Sequence, residues 1–199
     1  EGLCNDNYII TRIWTAVDSC NNANSCIQII TIQDTTKPVV TCPDNVTINC
    51  EANADPSNTG SATASDNCTD VVTEIMYADV KVNGNCKDNY SITRTWTAVD
   101  SCFNSNNCDQ IITVVDTTKP IVNCPVDVTL NCDAFIDPSN TGLAIATDNC
   151  TVTVNDIDFI DTRTNGSCND RYIIYRIWTA VDSCSNFNSC TQVITIQDT

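Results

Sequence analysis

The stretch "YSITRTWTAVDSC" (90–102) decides the fold because its first ten residues alternate between an apolar and a polar side, apart from Arg94 and Val99. One side carries Tyr90, Ile92, Trp96 and Ala98, and the other carries Ser91, Thr93, Thr95 and Thr97. A period of two predicts a half-buried β-strand. The run "QIITVVD" (110–116), which follows a short cysteine-flanked loop, predicts the antiparallel return strand.

The same phrase occurs three times at a fixed spacing. Trp14, Trp96 and Trp178 are separated by 82 residues in both intervals (96 − 14 and 178 − 96). "DTTKP" at 34–38 returns at 116–120, and "DPSNTG" at 55–60 returns at 137–142. A fixed period indicates one structural unit copied in series. We therefore expect the C-terminal part of one repeat at 1–33, a complete repeat at 34–115, and another at 116–199 that runs into the next linker.

Within one repeat, further stretches that we predict as strands are separated by turns rich in Pro, Asn and Asp. These stretches are "PVVTC" (38–42), "NVTINC" (45–50), "GSATAS" (60–65) and "VVTEIMYADVKV" (71–82). About six strands per repeat predict an all-β fold of tandem immunoglobulin-like β-sandwiches, with Trp96 in the core. Arg94 falls on the same side as Trp96, which favours a stem lying over the sheet with its guanidinium paired. A ligand-binding arginine is the alternative.

The composition is acidic and lacks histidine. The net charge is −16, with 22 Asp and 3 Glu against 9 Lys and Arg. A basic patch of the kind that binds nucleic acid is not expected, and no apolar run is long enough for a membrane span. Without histidine, a general base would have to be Asp, Glu, Lys or Tyr. No nucleophile motif is present, so we do not expect an enzyme.

The cysteines predict a disulfide framework. The chain has 15, with six in each complete repeat at matching positions, which is typical of small domains in an oxidising extracellular compartment. Six cysteines allow fifteen connectivities. A hairpin base favours Cys102–Cys108, and with it Cys20–Cys26 and Cys184–Cys190. For the rest we expect Cys42–Cys50, Cys68–Cys86, Cys124–Cys132 and Cys150–Cys168, with the partner of Cys4 upstream of residue 1.

The joint between repeats is short. "VVDTTKPIV" (114–122) contains no Gly/Ser-rich spacer, and its proline fixes φ. Such a joint predicts stiff connections between successive repeats.

The ordered motifs "DTTKPVVTCP…NVTINC…DPSNTGSATASDNC…YSITRTWTAVDSC" resemble the HYR-like, immunoglobulin-like repeats of large bacterial surface proteins. Such repeats are common in the adhesins of gliding bacteria that use type IX secretion. The resemblance implies secreted tandem β-sandwich modules that act as stalks or filaments. HYR modules often carry glycine and asparagine after their "A-x-D" motif, whereas here Cys102, Phe103 and Asn104 follow at that position.

A second resemblance concerns the aspartates. The arrangement is similar to cadherin repeats, in which linker aspartates, an Asp-rich turn and an "A-x-D" motif converge on calcium at a domain junction. This implies calcium at two sets of residues: Asp34, Asp66 and Asp100, and then Asp116, Asp148 and Asp182. Aspartates and backbone carbonyls supply the oxygen ligands that calcium prefers. The alternative is that these side chains cap turns.

Two kinds of glycosylation motif are also present. Asn45 and Asn89 stand in N-linked acceptor sequences, and the bacterial resemblance suggests O-linked sugars instead, at Thr35, Thr117 and Ser101. Measuring the mass of the intact denatured chain distinguishes the two hypotheses, because bound sugars add discrete mass whereas calcium is lost on denaturation.

These features predict an extracellular stalk, fibre or adhesin filament. The alternative is a carbohydrate- or surface-binding adhesin module with calcium-rigidified junctions. The expected partners are neighbouring repeats of the same chain, other copies in a filament, and surface glycans. These features require no cofactor, and calcium is the one candidate.

Overall fold

A computed structural model of the chain describes residues 4, 6–68, 72, 74–150, 153–167 and 170–198. The first repeat segment contains a hairpin of β1 (Tyr8–Val17) and β2 (Ala23–Ile32). The elements of the middle repeat are β3 (Val39–Thr41), β4 (Val46–Asn49), α1 (Pro56–Thr59), β5 (Thr63–Ser65), β6 (Glu74–Asn83), β7 (Tyr90–Val99) and β8 (Ser105–Val115). Those of the last repeat are β9 (Ile121–Asn123), β10 (Val128–Asn131), α2 (Pro138–Thr141), β11 (Ile145–Thr147), β12 (Asp156–Asn165), β13 (Tyr172–Val181) and β14 (Phe187–Gln197).

In the residues that the structure describes, the middle and last repeats each have one four-stranded and one two-stranded sheet. In the last repeat the strand orders are β10-β14-β13-β12 and β11-β9, and in the middle repeat they are β4-β8-β7-β6 and β3-β5. Strands β12, β13 and β14 pair antiparallel, whereas β10 pairs parallel to β14. The two sheets of the last repeat pack around Ala146, Val154 and Ala180, with Val122 and Ile157 beside them. The predicted all-β, immunoglobulin-like sandwich class is confirmed.

The alternation predicted for 90–99 sets the core. Every second residue from Ile92 to Ala98 is buried, and the Trp96 side chain is 4% exposed. Its equivalent Trp178 is 2% exposed. The tryptophans therefore fill the core, as predicted.

A buried arginine lies on the same face as each of these tryptophans. Arg94 is 2% exposed and donates from Nε and Nη2 to the two carboxylate oxygens of Asp79, at 2.8 Å each. Its Nη1 donates to Thr59 Oγ1 at 3.0 Å, and its guanidinium carbon lies 4.4 Å from the Tyr77 ring centroid. The corresponding set in the last repeat is Arg176, Asp161, Thr141 and Phe159. The paired-stem interpretation fits both repeats, since the guanidinium donors are taken up inside the sandwich.

The chain divides into two compact units. The first comprises Glu1–Val46, Ala54–Lys81 and Ile92–Ile112, and the second comprises Thr47–Asn53, Val82–Ser91 and Thr113–Thr199. Four of the five boundaries fall within strands β4, β6, β7 and β8, and the fifth, between Asn53 and Ala54, lies between β4 and α1. The division at 34–115 and 116–199 therefore stays a prediction. In the described residues, no helix has the length and apolar character needed to cross a membrane.

The described part of the chain contains five disulfides, and three of them join successive repeats. Cys42–Cys108 and Cys124–Cys190 lie within the middle and last repeats, whereas Cys4–Cys102, Cys50–Cys150 and Cys86–Cys184 join cysteines of one repeat to those of the next. Their Cα–Cα distances of 5.1 to 5.9 Å are ordinary for disulfides. Cys20, Cys26, Cys68 and Cys132 are free and exposed, and Cys168 lies outside the described residues.

The predicted hairpin pairings Cys20–Cys26, Cys102–Cys108 and Cys184–Cys190 are wrong. The strand register gives the reason, because Trp14 is opposite Cys26 and Trp178 is opposite Cys190. The first cysteine of each predicted pair (Cys20, Cys102 or Cys184) lies in the turn before the second strand and is not opposite the second cysteine. Cys102 bonds to Cys4 and Cys184 bonds to Cys86.

The remaining predicted pairings, Cys42–Cys50, Cys124–Cys132, Cys68–Cys86 and Cys150–Cys168, are also wrong, as is the upstream partner of Cys4. Cys42 follows β3 and Cys50 follows β4, which belong to different sheets. Cys68 precedes the ten-residue strand β6 and Cys86 follows it, so a strand of about 33 Å separates them in the chain. Cys4 bonds to Cys102, and Cys150 bonds to Cys50.

The buried arginine generates a test on strand β12. Replacing Asp161 by alanine removes both carboxylate acceptors of a guanidinium that stays buried, so we expect the free energy of unfolding to fall by about 3 kcal/mol. Asp156→Ala, an exposed change at the first residue of the same strand, should stay within about 0.5 kcal/mol of the wild type. Denaturant titration of the oxidised chain measures both, and equal losses would contradict the role given to the ion pair.

Candidate metal centres

Three of the predicted calcium aspartates come together in the second unit. Asp116 follows β8, Asp148 follows β11 and Asp182 follows β13. One carboxylate oxygen from each lies within 4.8 Å of the others. Asp116 and Asp182 are buried, at 5% and 9% exposure. Oxygens bound to calcium at 2.3–2.6 Å would have spacings of this order.

Each of these aspartates also shapes its own turn. Oδ1 of Asp116 accepts the Thr118 N–H at 3.0 Å. The same two-residue pattern joins Asp148 to Cys150 at 3.0 Å and Asp182 to Cys184 at 2.8 Å. The turn-capping alternative therefore accounts for one oxygen of each carboxylate.

The second oxygens are what turn capping leaves unexplained. Oδ2 of Asp116 and Oδ2 of Asp148 are buried and accept no hydrogen bond among the described residues. Oδ2 of Asp182 accepts from Asn186 Nδ2 at 2.9 Å. A buried carboxylate oxygen without a partner is costly, and a bound cation would satisfy both orphaned oxygens at once. The donor set therefore fits calcium.

The local charge supports a cation at this place. Burial raises the pKa of the Asp116 carboxyl above its ordinary value, and the negative charges of Asp148, Asp182 and Asp88 raise it further, against the Thr118 hydrogen bond, which lowers it. The cluster is therefore destabilised when all its carboxylates are ionised without a counter-charge.

Asp88 is a candidate ligand that the sequence prediction missed. It forms a close group with Asp116 and the sulfur of Cys184. That sulfur is in a disulfide with Cys86, so it cannot act as a thiolate ligand. Asp88 also accepts the Ser183 hydroxyl at 2.7 Å. The signal was the 82-residue period, because aspartate also stands at positions 6 and 170.

The first unit repeats part of this arrangement. Asp34 groups with Asp66 and separately with Asp6, in each case beside a cysteine sulfur. Oδ2 of Asp34 and Oδ2 of Asp66 are buried and accept no hydrogen bond among the described residues. Asp100 is 3% exposed, and Asn104 joins it to the linker by donating to Asp100 Oδ2 at 2.9 Å and to the Asp34 carbonyl at 3.3 Å. The first set thus forms pairs around Asp34, whereas the second forms a triad.

The predicted glycosylation residues differ in their surroundings. Thr35, Thr117 and Asn45 are exposed. The Ser101 hydroxyl donates to Asp6 Oδ2 at 3.0 Å, and the Asn89 side chain accepts the Asp116 N–H at 2.6 Å. Ser101 and Asn89 are thus already engaged next to the acidic clusters.

The comparisons with known proteins find several cadherin structures. Protocadherin Gamma C5 EC1-3 is 14% identical with a TM-score of 0.36, and the alignment covers 98% of this chain and 78% of that chain. Mouse clustered PcdhgC3 EC1-3 is 15% identical with a TM-score of 0.35, and the alignment covers 96% of this chain and 77% of that chain. The structure of Protocadherin Gamma B2 extracellular cadherin domains 3-6 is 12% identical with a TM-score of 0.41, and the alignment covers 98% of this chain and 60% of that chain. No family model and no curated protein sequence matches this chain.

The orphaned oxygens generate a test of calcium binding. The double variant Asp34→Asn with Asp116→Asn keeps both Oδ1 acceptors but removes one charge from each cluster. We expect it to melt higher than the wild type in chelator, because repulsion is relieved, and to lose the calcium-dependent rise in Tm. At calcium 100-fold above Kd, a bound site stabilises the wild type by about 2.7 kcal/mol.

The matched control for this test is Asp127→Asn. Asp127 Oδ1 accepts the Val193 N–H at 2.8 Å, and Asn45 does the same for Ile111 at 2.7 Å in the middle repeat. It removes a charge at a position where the chain already tolerates asparagine, and should leave the calcium response intact. A wild-type chain with no heat of binding and an unchanged Tm in millimolar calcium would refute the site.

Proposed function

We propose that this chain is a structural extracellular repeat protein that carries tension in a stalk, fibre or adhesin filament at the cell surface. The observation that carries the proposal is the set of three disulfides between successive repeats, Cys4–Cys102, Cys50–Cys150 and Cys86–Cys184. Bonds of this kind favour an oxidising compartment outside the cytosol. They tie each repeat to the next independently of the peptide backbone.

The bridges shorten the path along which force travels. A load applied between Cys4 and Asp198 crosses to Cys102, follows the 16 residues back to Cys86 (102 − 86), crosses to Cys184 and follows the last 14 residues (198 − 184). At about 3.4 Å per residue this path extends to roughly 100 Å. Without the bridges, the 194 residues between the same ends (198 − 4) extend to roughly 660 Å. The disulfides therefore keep the chain short under load even when a repeat unfolds.

Calcium would add a second, reversible stabilisation. The acidic clusters gather residues that lie far apart in the sequence, such as Asp88 and Asp182 around Asp116. A cation bound there neutralises their repulsion and holds the linker residue against the turns that follow β11 and β13. The proposed role is to make the start of each repeat rigid in calcium-containing surroundings.

The motif order shared with HYR-like repeats supports placing this stalk on large bacterial surface adhesins. We extend the proposal to O-linked sugars at Thr35 and Thr117, which are exposed in the linker next to Asp34 and Asp116. Intact-mass measurement of the secreted protein should show discrete sugar increments that persist after denaturation in chelator. A mass equal to the polypeptide with its disulfides would exclude them.

A sugar- or surface-binding role has less support. The exposed aromatic residues Phe103 and Phe135 are 75% and 74% exposed, but residues 82 positions away are polar: Asn21 and Ser185 for the first, Asn53 for the second. A binding patch that recurs in every repeat is therefore not formed by these side chains.

The load path generates a single-molecule test. Stretched between its ends, the oxidised chain should extend by no more than about 100 Å before detachment, because the bridges hold. After reduction, the same chain should give steps of up to about 280 Å for each 82-residue repeat. Equal extension in both states would refute the tension-carrying role. As a control, the free thiols of the oxidised chain are blocked before it is pulled, so that no further disulfides form through them.

A further inference from the structure

The free thiols follow a rule set by the bonded cysteines. Subtracting or adding 82 residues maps Cys20 onto Cys102, Cys26 onto Cys108, Cys68 onto Cys150 and Cys132 onto Cys50. Each of those equivalents is in a disulfide, whereas the four themselves are free and exposed. Their positions in the repeat are thus bonding positions.

The turn that presents Cys20 is already formed as in the bonded copy. Asp18 Oδ1 accepts the N–H groups of Cys20 and Asn22 at 2.8 Å each. In the middle repeat Asp100 Oδ1 accepts the corresponding N–H groups at the same distances. The residue after the cysteine has a positive φ in both turns, 64° at Asn21 and 67° at Phe103. The cysteine is therefore held in the bonding conformation without its partner.

The β1–β2 hairpin bears an uncovered core face. Trp14 is 54% exposed, against 4% for Trp96 and 2% for Trp178. Its indole N–H donates to Gln28 Oε1 at 3.0 Å, as Trp96 does to Gln110 at 3.4 Å. In the middle repeat this face is covered by the front half of the repeat, residues 34–82, whose Thr59 carbonyl accepts from Gln110 Nε2 at 2.7 Å.

Arg12 indicates which groups a surface that covers this hairpin has to supply. Arg12 is exposed, whereas its equivalent Arg94 is buried between Asp79 and Thr59, both supplied by the front half. Cys26 likewise has as its equivalent Cys108, which bonds to front-half Cys42. The hairpin thus carries an apolar face, an arginine and a thiol, and the front half of a repeat supplies a partner for each of the three.

We propose that the β1–β2 face and the four free thiols are bonding sites for further repeats of this kind. The front half of such a repeat covers the hairpin, its Cys42 equivalent bonds to Cys26, and its Cys50 equivalent bonds to Cys68. Cys20 bonds to the Cys86 position of a preceding repeat, and Cys132 bonds to the Cys68 position of a following one. This rests on the proposed stalk function for its biological role.

The chemistry of each bond is thiol oxidation. Two thiols lose two protons and two electrons to form one disulfide, and a disulfide oxidant of the oxidoreductase or glutathione class takes them up as two thiols. The fold positions the thiols for bonding, and the oxidant accepts the electrons and protons.

The test uses a ¹⁵N-labelled polypeptide with the sequence of residues 34–82 as probe, mixed with the full chain in oxidised and reduced glutathione. Peptide mapping by mass spectrometry identifies the labelled bridges. We expect probe Cys42 on Cys26 and probe Cys50 on Cys68, at least ten-fold above any bridge to Cys20 or Cys132. Evenly distributed bridges, a Cys20–Cys26 bridge, or a Cys26–Cys26 dimer of the chain would overturn the proposal.

Two variants separate recognition from chance oxidation. Trp14→Ser should reduce capture at Cys26 several-fold, with an intact Cys4–Cys102 bridge showing that the chain still folds. Phe103→Ser, a change to the residue found at the equivalent position 185, should leave capture unchanged. Equal capture by all three chains would overturn the role of the hairpin face. Because the capture experiment measures bonding and the stretching experiment measures load on bridges already formed, either proposal can fail without the other.

Discussion

Covalent bonds between repeats are the constraint on which this structure depends. A domain of about 80 residues buries too little surface to be strongly stable alone. Here each complete repeat keeps one disulfide for itself, between its two sheets, and shares the others with its neighbours. A closed loop of about 100 residues removes up to about 4.7 kcal/mol of chain entropy from the unfolded state. The inter-repeat bridges span 98 or 100 residues, so the largest entropic contributions come from bonds that leave the repeat.

The acidic clusters depend on the same local framework. The turn that places Cys184 in its bridge is made by Asp182, whose Oδ1 accepts two backbone N–H groups. One side chain therefore forms the turn, positions the sulfur and contributes to the carboxylate triad around Asp116. In the last repeat the candidate cation site and the covalent bond therefore depend on the same turn, and the segment "AVDSC" that forms it recurs unchanged in all three copies.

The sequence predicted what local periodicity determines. Alternation in 90–99 located a strand, its buried face and the core tryptophan, and the 82-residue spacing located the copies. The resemblance to cadherin repeats, and not the periodicity, brought Asp116, Asp148 and Asp182 into one hypothesis. The disulfide pairing was wrong because it depends on cross-strand register and on which sheet a strand joins. Trp178 rather than Cys184 is opposite Cys190, and the alternation within a single strand cannot predict this register. Asp88 was missed for a similar reason, since its closeness to Asp116 arises from folding across the chain.

The spacing of the bridges sets an order in time. Cys86 has no partner until Cys184 exists, so a repeat that has just been synthesised is still incompletely bonded. It becomes fully cross-linked only after about one further repeat has followed it. Cross-linking of this chain therefore lags about one repeat behind its synthesis, and the thiols of the last repeat to be added are the ones still open to exchange.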